Sequence, residues 1–139
     1  MRVIVDTNIW SLALRRRAKK LSSDERALVA ECKELVGEGR AVLLGVVRQE
    51  VLSGVSRPAH FEALSAKLRQ FDDEPVTRSD HEHAAACFNR CRAKGVQGSV
   101  VDMLICAVAE RRGAAVFTTD ADFSRYAKYL PFSLHSPRG

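Results

Sequence analysis

A three-layer α/β domain with a largely parallel central sheet is what this sequence predicts, and three observations carry the prediction. Short apolar runs, Arg2 to Val5, Ala41 to Leu44 and Ala114 to Phe117, have the length and composition of strands buried on both faces. Between them lie stretches with apolar residues at helical spacing, opened by capping residues and stopped by glycine. Parallel neighbours need long crossovers, so strands that alternate with helices build this architecture.

The elements follow in order. Arg2 to Val5 is closed by the polar cluster Asp6-Thr7-Asn8, and a helix starts at about Ile9. Ser22 and Glu25 have capping-box spacing, and Leu28, Val29, Cys32, Leu35 and Val36 continue the helix until Gly37 and Gly39. After the strand Ala41 to Leu44, a helix carries Val46, Val47, Glu50, Val51 and Leu52 to Gly54. Pro58 opens the next, with Phe61, Leu64, Leu68 and Phe71 as its stripe. Ser79 and Glu82 predict a second capping box, for a helix reaching Lys94-Gly95. A helix from Val100 to the Arg111-Arg112-Gly113 terminus precedes the third strand, and a last one spans about Asp122 to Tyr129.

At 139 residues the chain has the size of one domain, so 1–135 is expected to form a single unit with 136–139 as a short polar tail. A hydrophobic fraction of 46% and a charged fraction of 28% are those of a soluble globular protein. The net charge of +5 permits a polyanionic partner without demanding one. Arg15, Arg16, Arg17, Lys19 and Lys20 crowd one segment, either a phosphate-contacting patch or a solvated helix end; Arg111 and Arg112 could add to the former. The N-terminus meets Asp6 too early for a secretory leader, and no apolar run approaches the length of a membrane span. Cys32, Cys87, Cys91 and Cys106 all fall in helical patterns, which suits reduced, buried thiols. A cytoplasmic protein is expected.

The stretch from Val100 to Ala109 would be core throughout but for Asp102. An unpaired carboxylate in apolar surroundings costs several kcal/mol, so Asp102 must find a hydrogen bond, a cation or a metal ion. In an open α/β sheet the binding crevice lies at the carboxyl ends of the strands, where Asp6 and Asp120 each follow a strand directly. Glu50 lies in the first turns of the helix leaving the second strand. The helix of Asp102 runs back against the strands, which brings its first turn to the same rim. Four carboxylates converging at ~5 Å repel by roughly 3 kcal/mol per pair at an effective dielectric of about 20. The neighbouring sequence offers only Arg48 as a counter-charge, whereas a hard divalent ion such as Mg²⁺ or Mn²⁺ takes oxygen ligands of this kind. Taken singly, each acid has a local reading: Asp6 and Asp120 as turn or cap residues, Asp102 as the third residue of a cap begun by Ser99, Glu50 as a solvated glutamate.

Other chemistries fit less well. His81, His83, Cys87 and Cys91 are zinc donors by type, but all stand on one helix, and structural zinc draws ligands from two segments. No nucleophile elbow or G-x-x-x-x-G-K loop is present. A phosphatase using Asp6 as nucleophile would want an acid two residues on, where Asn8 stands. Trp10 and the phenylalanines read as core.

Val3-Ile4-Val5-Asp6-Thr7-Asn8, Glu50-Val51-Leu52-Ser53-Gly54, Asp102-Met103-Leu104-Ile105-Cys106-Ala107 and Thr118-Thr119-Asp120-Ala121-Asp122-Phe123, in this order, resemble the PIN-domain ribonucleases, and among them the VapC-type toxins of toxin–antitoxin pairs. The resemblance runs end to end. It implies a PIN-like α/β/α fold and a metal-dependent endoribonuclease using Mg²⁺ or Mn²⁺. Asp6, Glu50, Asp102 and Asp120 would be the metal-binding catalytic acids, with Thr7, Asn8 and Ser99 supporting them. Asp122 stands where some relatives carry a further acid, and would share the metal or cap the last helix. Gly45 replaces a common serine and Cys106 a common alanine, and neither change removes an acid. The resemblance further implies an RNA substrate, a homodimer, and a protein antitoxin that forms a hetero-oligomer with the toxin and blocks its acidic groove. The reading from another class is a PIN-like module that holds RNA or a partner protein without cutting.

Overall fold

The computed structural model describes residues 1–15 and 20–138. Its four strands are β1 (Val3–Val5), β2 (Ala41–Val42), β3 (Ala115–Phe117) and β4 (Ser133–Leu134). They form one sheet in the order β2-β1-β3-β4, every pair parallel. Seven α-helices among the described residues flank it: α1 (Thr7–Arg15), α2 (Ser23–Gly37), α3 (Gly45–Ser53), α4 (Pro58–Leu68), α5 (Arg78–Ala93), α6 (Val100–Arg112) and α7 (Asp122–Tyr126).

Strand order dictates where a ligand can enter. The chain steps outward from β1 to β2, then returns across β1 to β3 and continues to β4. Right-handed crossovers running in opposite directions place α1 and α2 on one face and α6 on the other. The direction reverses between β1 and β3, which opens a crevice at their carboxyl ends. Val3, Ile4, Val5 and Val116 have no exposed surface, as expected of central strands covered on both faces. The edge strands are two residues long, which limits the unpaired backbone they offer to another chain.

Helix α6 is buried from Met103 to Ala109 without interruption, because it lies between the sheet and α5. Ser99 caps it by accepting from the Asp102 amide at 2.9 Å, and Gly113 ends it at φ 62°, a conformation that favours glycine. Helix α2 has the predicted capping box from Ser22 and Glu25. The cap of α5 falls two residues earlier than Ser79 and Glu82 predicted, on Thr77 and Asp80. Both pairs satisfy the local pattern, and a tertiary contact selects between them. The buried Asp80 carboxylate receives Arg111 at 2.8 Å and Arg112 at 2.7 and 2.9 Å. Arg112 also bonds Glu74 and the Pro75 carbonyl, so this arginine pair braces the fold.

The last helix ends at Tyr126, three residues short of expectation, and the apolar run around Phe132 contributes the fourth strand. Beyond it the tail is tied down: Arg138 reaches Glu31 and Glu38, and His135 bonds Glu31 at 2.5 Å. No helix of the described residues is long and apolar enough to cross a membrane.

Candidate functional site

Asp6 leaves the end of β1 with its amide bonded to the Phe117 carbonyl at 2.9 Å, which stitches the ends of β1 and β3 together. Its carboxylate is nearly buried, at 6% exposure. Oδ1 accepts from the Thr7 amide at 2.8 Å, and Oδ2 from the Thr118 hydroxyl at 2.8 Å and the Asn8 side chain at 3.3 Å. Burial raises the proton affinity of this carboxyl, the bonds from Thr118 and Thr7 oppose the rise, and the negative charges of Glu50 and Asp120 add to it.

Thr118 is the hub of the arrangement. Its hydroxyl donates to Asp6 and accepts from the Asn8 side chain at 3.2 Å and the Asp120 amide at 3.0 Å, using its whole hydrogen-bonding capacity. Asn8 closes a second link by accepting from the Thr119 amide at 3.1 Å. The β1–α1 and β3–α7 corners are thereby held as one piece. Thr7 spans to the third segment, donating to Glu50 of α3 at 2.7 Å.

Asp102 arrives from α6. Its Oδ2 accepts from the Tyr126 hydroxyl at 2.8 Å. Burial raises the carboxyl's proton affinity, the bonds from Tyr126 and Ser99 lower it, and the charges of Asp6 and Asp120 raise it again. The Tyr126 phenol is pushed far up, by burial first and by Asp102 second, and remains a donor throughout the physiological range. Gly98 permits this packing: a Cβ there would lie 2.6 Å from the Met103 methyl and 3.4 Å from the Tyr126 ring.

Asp6, Glu50, Asp102 and Asp120 therefore occupy one rim and feel one another's charge. Asp120 is exposed, and accepts from the Asp122 amide at 2.9 Å. Asp122 differs from the four, because its carboxylate pairs with Arg125 one turn on. No other described cation joins the cluster. Arg48, the cation the local sequence offered, is taken by Asp73 at 2.8 Å and by the carbonyls of Leu68 and Phe71. Ser99 contributes through its cap on Asp102. Of the basic segment, Arg15 and Lys20 are exposed, while Arg16, Arg17 and Lys19 lie outside the described residues.

The donor set fits a hard divalent ion. Several carboxylates share a rim with no described cation among them, and in two of them burial first, with the neighbouring negative charges adding to it, raises the proton affinity. No three of the acids bring oxygen atoms within 4.8 Å of one another. At most two of them could therefore touch one ion directly, as Mg²⁺, which dehydrates reluctantly and keeps several waters, allows. Thr118 and Tyr126 are the partners that reading the sequence for acids does not find. For Thr118 the signal was available, a hydroxyl between a strand and an acid.

The PIN domain family profile matches residues 3–129, and the chain belongs to the PIN domain family. Three solved structures are similar in fold. The FitAcB structure from Neisseria gonorrhoeae shares 20% identity at a TM-score of 0.75, covering 97% of each chain. VapBC2 from Rickettsia felis, bound to a DNA fragment from its promoter, shares 18% at 0.73, covering 97% of this chain and 98% of that one. DNA-bound VapBC from Salmonella typhimurium shares 16% at 0.67, with 97% of each chain covered. No curated protein sequence matches the chain.

Proposed function

We propose that this PIN domain is a divalent-metal-dependent endoribonuclease, the toxin of a type II toxin–antitoxin pair. The observation that carries the reading is the rim of Asp6, Glu50, Asp102 and Asp120, drawn from four distant segments and lacking a cation among the described residues. PIN families commonly use a divalent metal, and the likeness in fold to FitAcB and VapBC structures supports the toxin assignment.

Asp6 and Asp102 would be the principal ligands of Mg²⁺ or Mn²⁺, with Glu50 and Asp120 acting through water and Asp122, committed to Arg125, outside the site. Bound there, the ion supplies charge neutralisation at the phosphoryl oxygens and a more acidic water. The protein's own part is to hold the acids still before substrate arrives. Thr118, Thr7 and Asn8 fix both oxygens of Asp6, and Tyr126 fixes the rotamer of Asp102. Held in this way, the acids need no rearrangement when charge builds on the phosphate. A groove lined by Asn8, Ser11, Leu12, Glu25, Leu28 and Thr119 opens beside them and gives a flanking nucleotide room, its phosphate turned away from Glu25. Arg15 and Lys20, with Arg16, Arg17 and Lys19, would meet flanking phosphates.

An apolar groove between α5 and α6, lined by Ala84, Phe88, Val101 and Leu104 and edged by the 79%-exposed Val100, is the surface a homodimer would cover. Size-exclusion chromatography of the chain alone should report a dimer, and Val100→Asp should shift it to monomer. A cognate antitoxin would then block the acidic rim.

The deciding experiment incubates purified protein with structured RNAs in Mg²⁺ or Mn²⁺, in chelator, and beside Asp6→Asn and Asp102→Asn. Metal-dependent cleavage leaving 5′-phosphate and 3′-hydroxyl ends is expected, lost in both variants. Cleavage that survives chelation, or cyclic-phosphate ends, would overturn the mechanism.

A further inference from the structure

A second group of metal-ligating side chains sits away from the acidic rim. His83 and Cys87 lie four residues apart on α5, one turn above the other on one face. Alone they are the pair of donors that one helix can offer. The second segment is α6, which packs along α5 and supplies Glu110. His83 Nε2 stands 2.8 Å from Glu110 Oε2, Cys87 Sγ stands 4.0 Å from the same oxygen, and all three ligand atoms lie within 4.8 Å of one another. Among the described residues no other trio of His, Cys, Asp or Glu is so close.

From this geometry we infer that His83, Cys87 and Glu110 form a binding site for a thiophilic divalent cation of the zinc class, clamping α5 to α6. Zinc bonds of about 2.0 Å to nitrogen and oxygen and about 2.3 Å to sulfur put tetrahedral ligands roughly 3.3–3.6 Å apart. The His83–Glu110 pair needs to open by about half an ångström and the Cys87–Glu110 pair to close by a similar amount, within the reach of side-chain torsions. Access is asymmetric in a useful way. Cys87 is 2% exposed and forms the floor, while His83 and Glu110 are about one-quarter exposed and leave a way in, with the fourth position open to water.

Without an ion the three groups meet on one oxygen, Glu110 Oε2, to which His83 bonds and the Cys87 thiol donates. Burial, and after it Glu110, push that thiol up to about 11, so in the empty site it keeps its proton. Binding exchanges the proton for the cation: the S–H bond breaks, a sulfur–metal bond forms and one proton is released to solvent. With neutral His83, one thiolate and one carboxylate the occupied site has no net charge. Glu110 is eight residues beyond Asp102, about 12 Å along α6, so this site is separate from the rim and its ligands are of a softer kind.

The test is a Co²⁺ titration of the full chain, stripped of metal and kept reduced with a phosphine, followed by near-ultraviolet absorption. One equivalent per chain should develop a thiolate-to-cobalt charge-transfer band, and one equivalent of Zn²⁺ should bleach it. The band should vanish in Cys87→Ser and weaken in apparent affinity at least about tenfold in His83→Ala and Glu110→Gln, while Asp102→Asn leaves it unchanged. No thiolate band in the wild type, or a band that survives Cys87→Ser, would overturn the site. If Cys87→Ser does not fold by circular dichroism, His83→Ala decides, since unchanged cobalt affinity there excludes the trio.

Discussion

The Tyr126 hydroxyl donates at 2.8 Å to Oδ2 of Asp102, a residue 24 positions earlier in the chain. The bond joins α7 to the first turn of α6 and fixes which oxygen of Asp102 remains for the cleft. In the proposed nuclease, Tyr126 is a positioning residue, touching the acid and not the substrate.

Tyr126→Phe should therefore raise the Mg²⁺ concentration needed for half-maximal cleavage by about tenfold or more, with little change in the KM for RNA. Stability should fall by about 1 kcal/mol, the worth of one buried hydrogen bond. A metal titration of activity beside an RNA titration at saturating metal separates the two constants. Equal rises in both would mean that the tyrosine supports the groove and not the acid.

Asp102→Asn and Asp6→Asn should each lower activity by more than about a hundredfold, yet differ in stability. An amide at 102 keeps an oxygen toward Tyr126 and removes a charge repelled by Asp6 and Asp120. At position 6 the amide nitrogen would face the Thr7 N–H in one orientation and, in the other, the Asn8 side chain and Thr118, whose accepting capacity is already filled. In chelator, Asp102→Asn should gain about 1 kcal/mol at neutral pH, as charge removal at strained functional sites does, and Asp6→Asn should not. The sign follows from linkage. A carboxyl whose folded-state proton affinity is raised contributes stability below its ordinary value that is lost as pH rises through the raised one. The wild-type curve should therefore bend downward there and the Asp102→Asn curve less so, as urea unfolding across the acid range would report.

Asp80 has the opposite sign. The Arg112 guanidinium, with the Thr77 backbone behind it, holds its carboxyl far below the usual carboxylate range despite burial. Its stability contribution is present above the ordinary value near 3.8 and is lost as pH falls below it toward the depressed one. Asp80→Ala strips Arg111 and Arg112 of their buried carboxylate partner, leaving Glu74 to Arg112, and removes the Asp80 half of the α5 capping box, which should cost about 3 kcal/mol or more. Thermal unfolding at pH 7 and pH 3 checks both statements: the variant should be much less stable at pH 7 and closer to wild type at pH 3.

Three of the four acids were legible in the sequence because each breaks a local pattern, while Glu50 was placed by its position in the first turns of its helix. Asp6 and Asp120 end apolar strands, and Asp102 interrupts an apolar helix, so helix direction alone carries them to one rim. Asp122 looks equivalent by spacing, and only the position of Arg125 sets it apart. The partners were hidden for a different reason. Tyr126 and Asp102, or Arg112 and Asp80, meet through packing of elements whose mutual position no local periodicity encodes. The same blindness moved the α5 cap, since Thr77–Asp80 and Ser79–Glu82 are alternatives that only the arginine pair tells apart. Strand β4 escaped because its two residues are exposed and too few to show a period.

The basic segment gives a prediction about substrate that does not depend on cleavage. Arg112 is consumed by Asp80 and Glu74, whereas Arg15 and Lys20 are exposed and free of such a structural duty among the described residues. A cation that meets an RNA phosphate releases condensed counterions, so each contact contributes about 0.7 to the slope of log affinity against log salt for a single strand. Measured in the Asp102→Asn background, where RNA is bound without being cut, Arg15→Glu with Lys20→Glu should weaken binding at low salt and flatten the slope by about 1.4 if both residues touch phosphate. Fluorescence anisotropy of a labelled single strand over a salt series gives both quantities. A parallel downward shift with the slope unchanged would point to a distant field effect, and no shift at all would remove this segment from the path of the RNA.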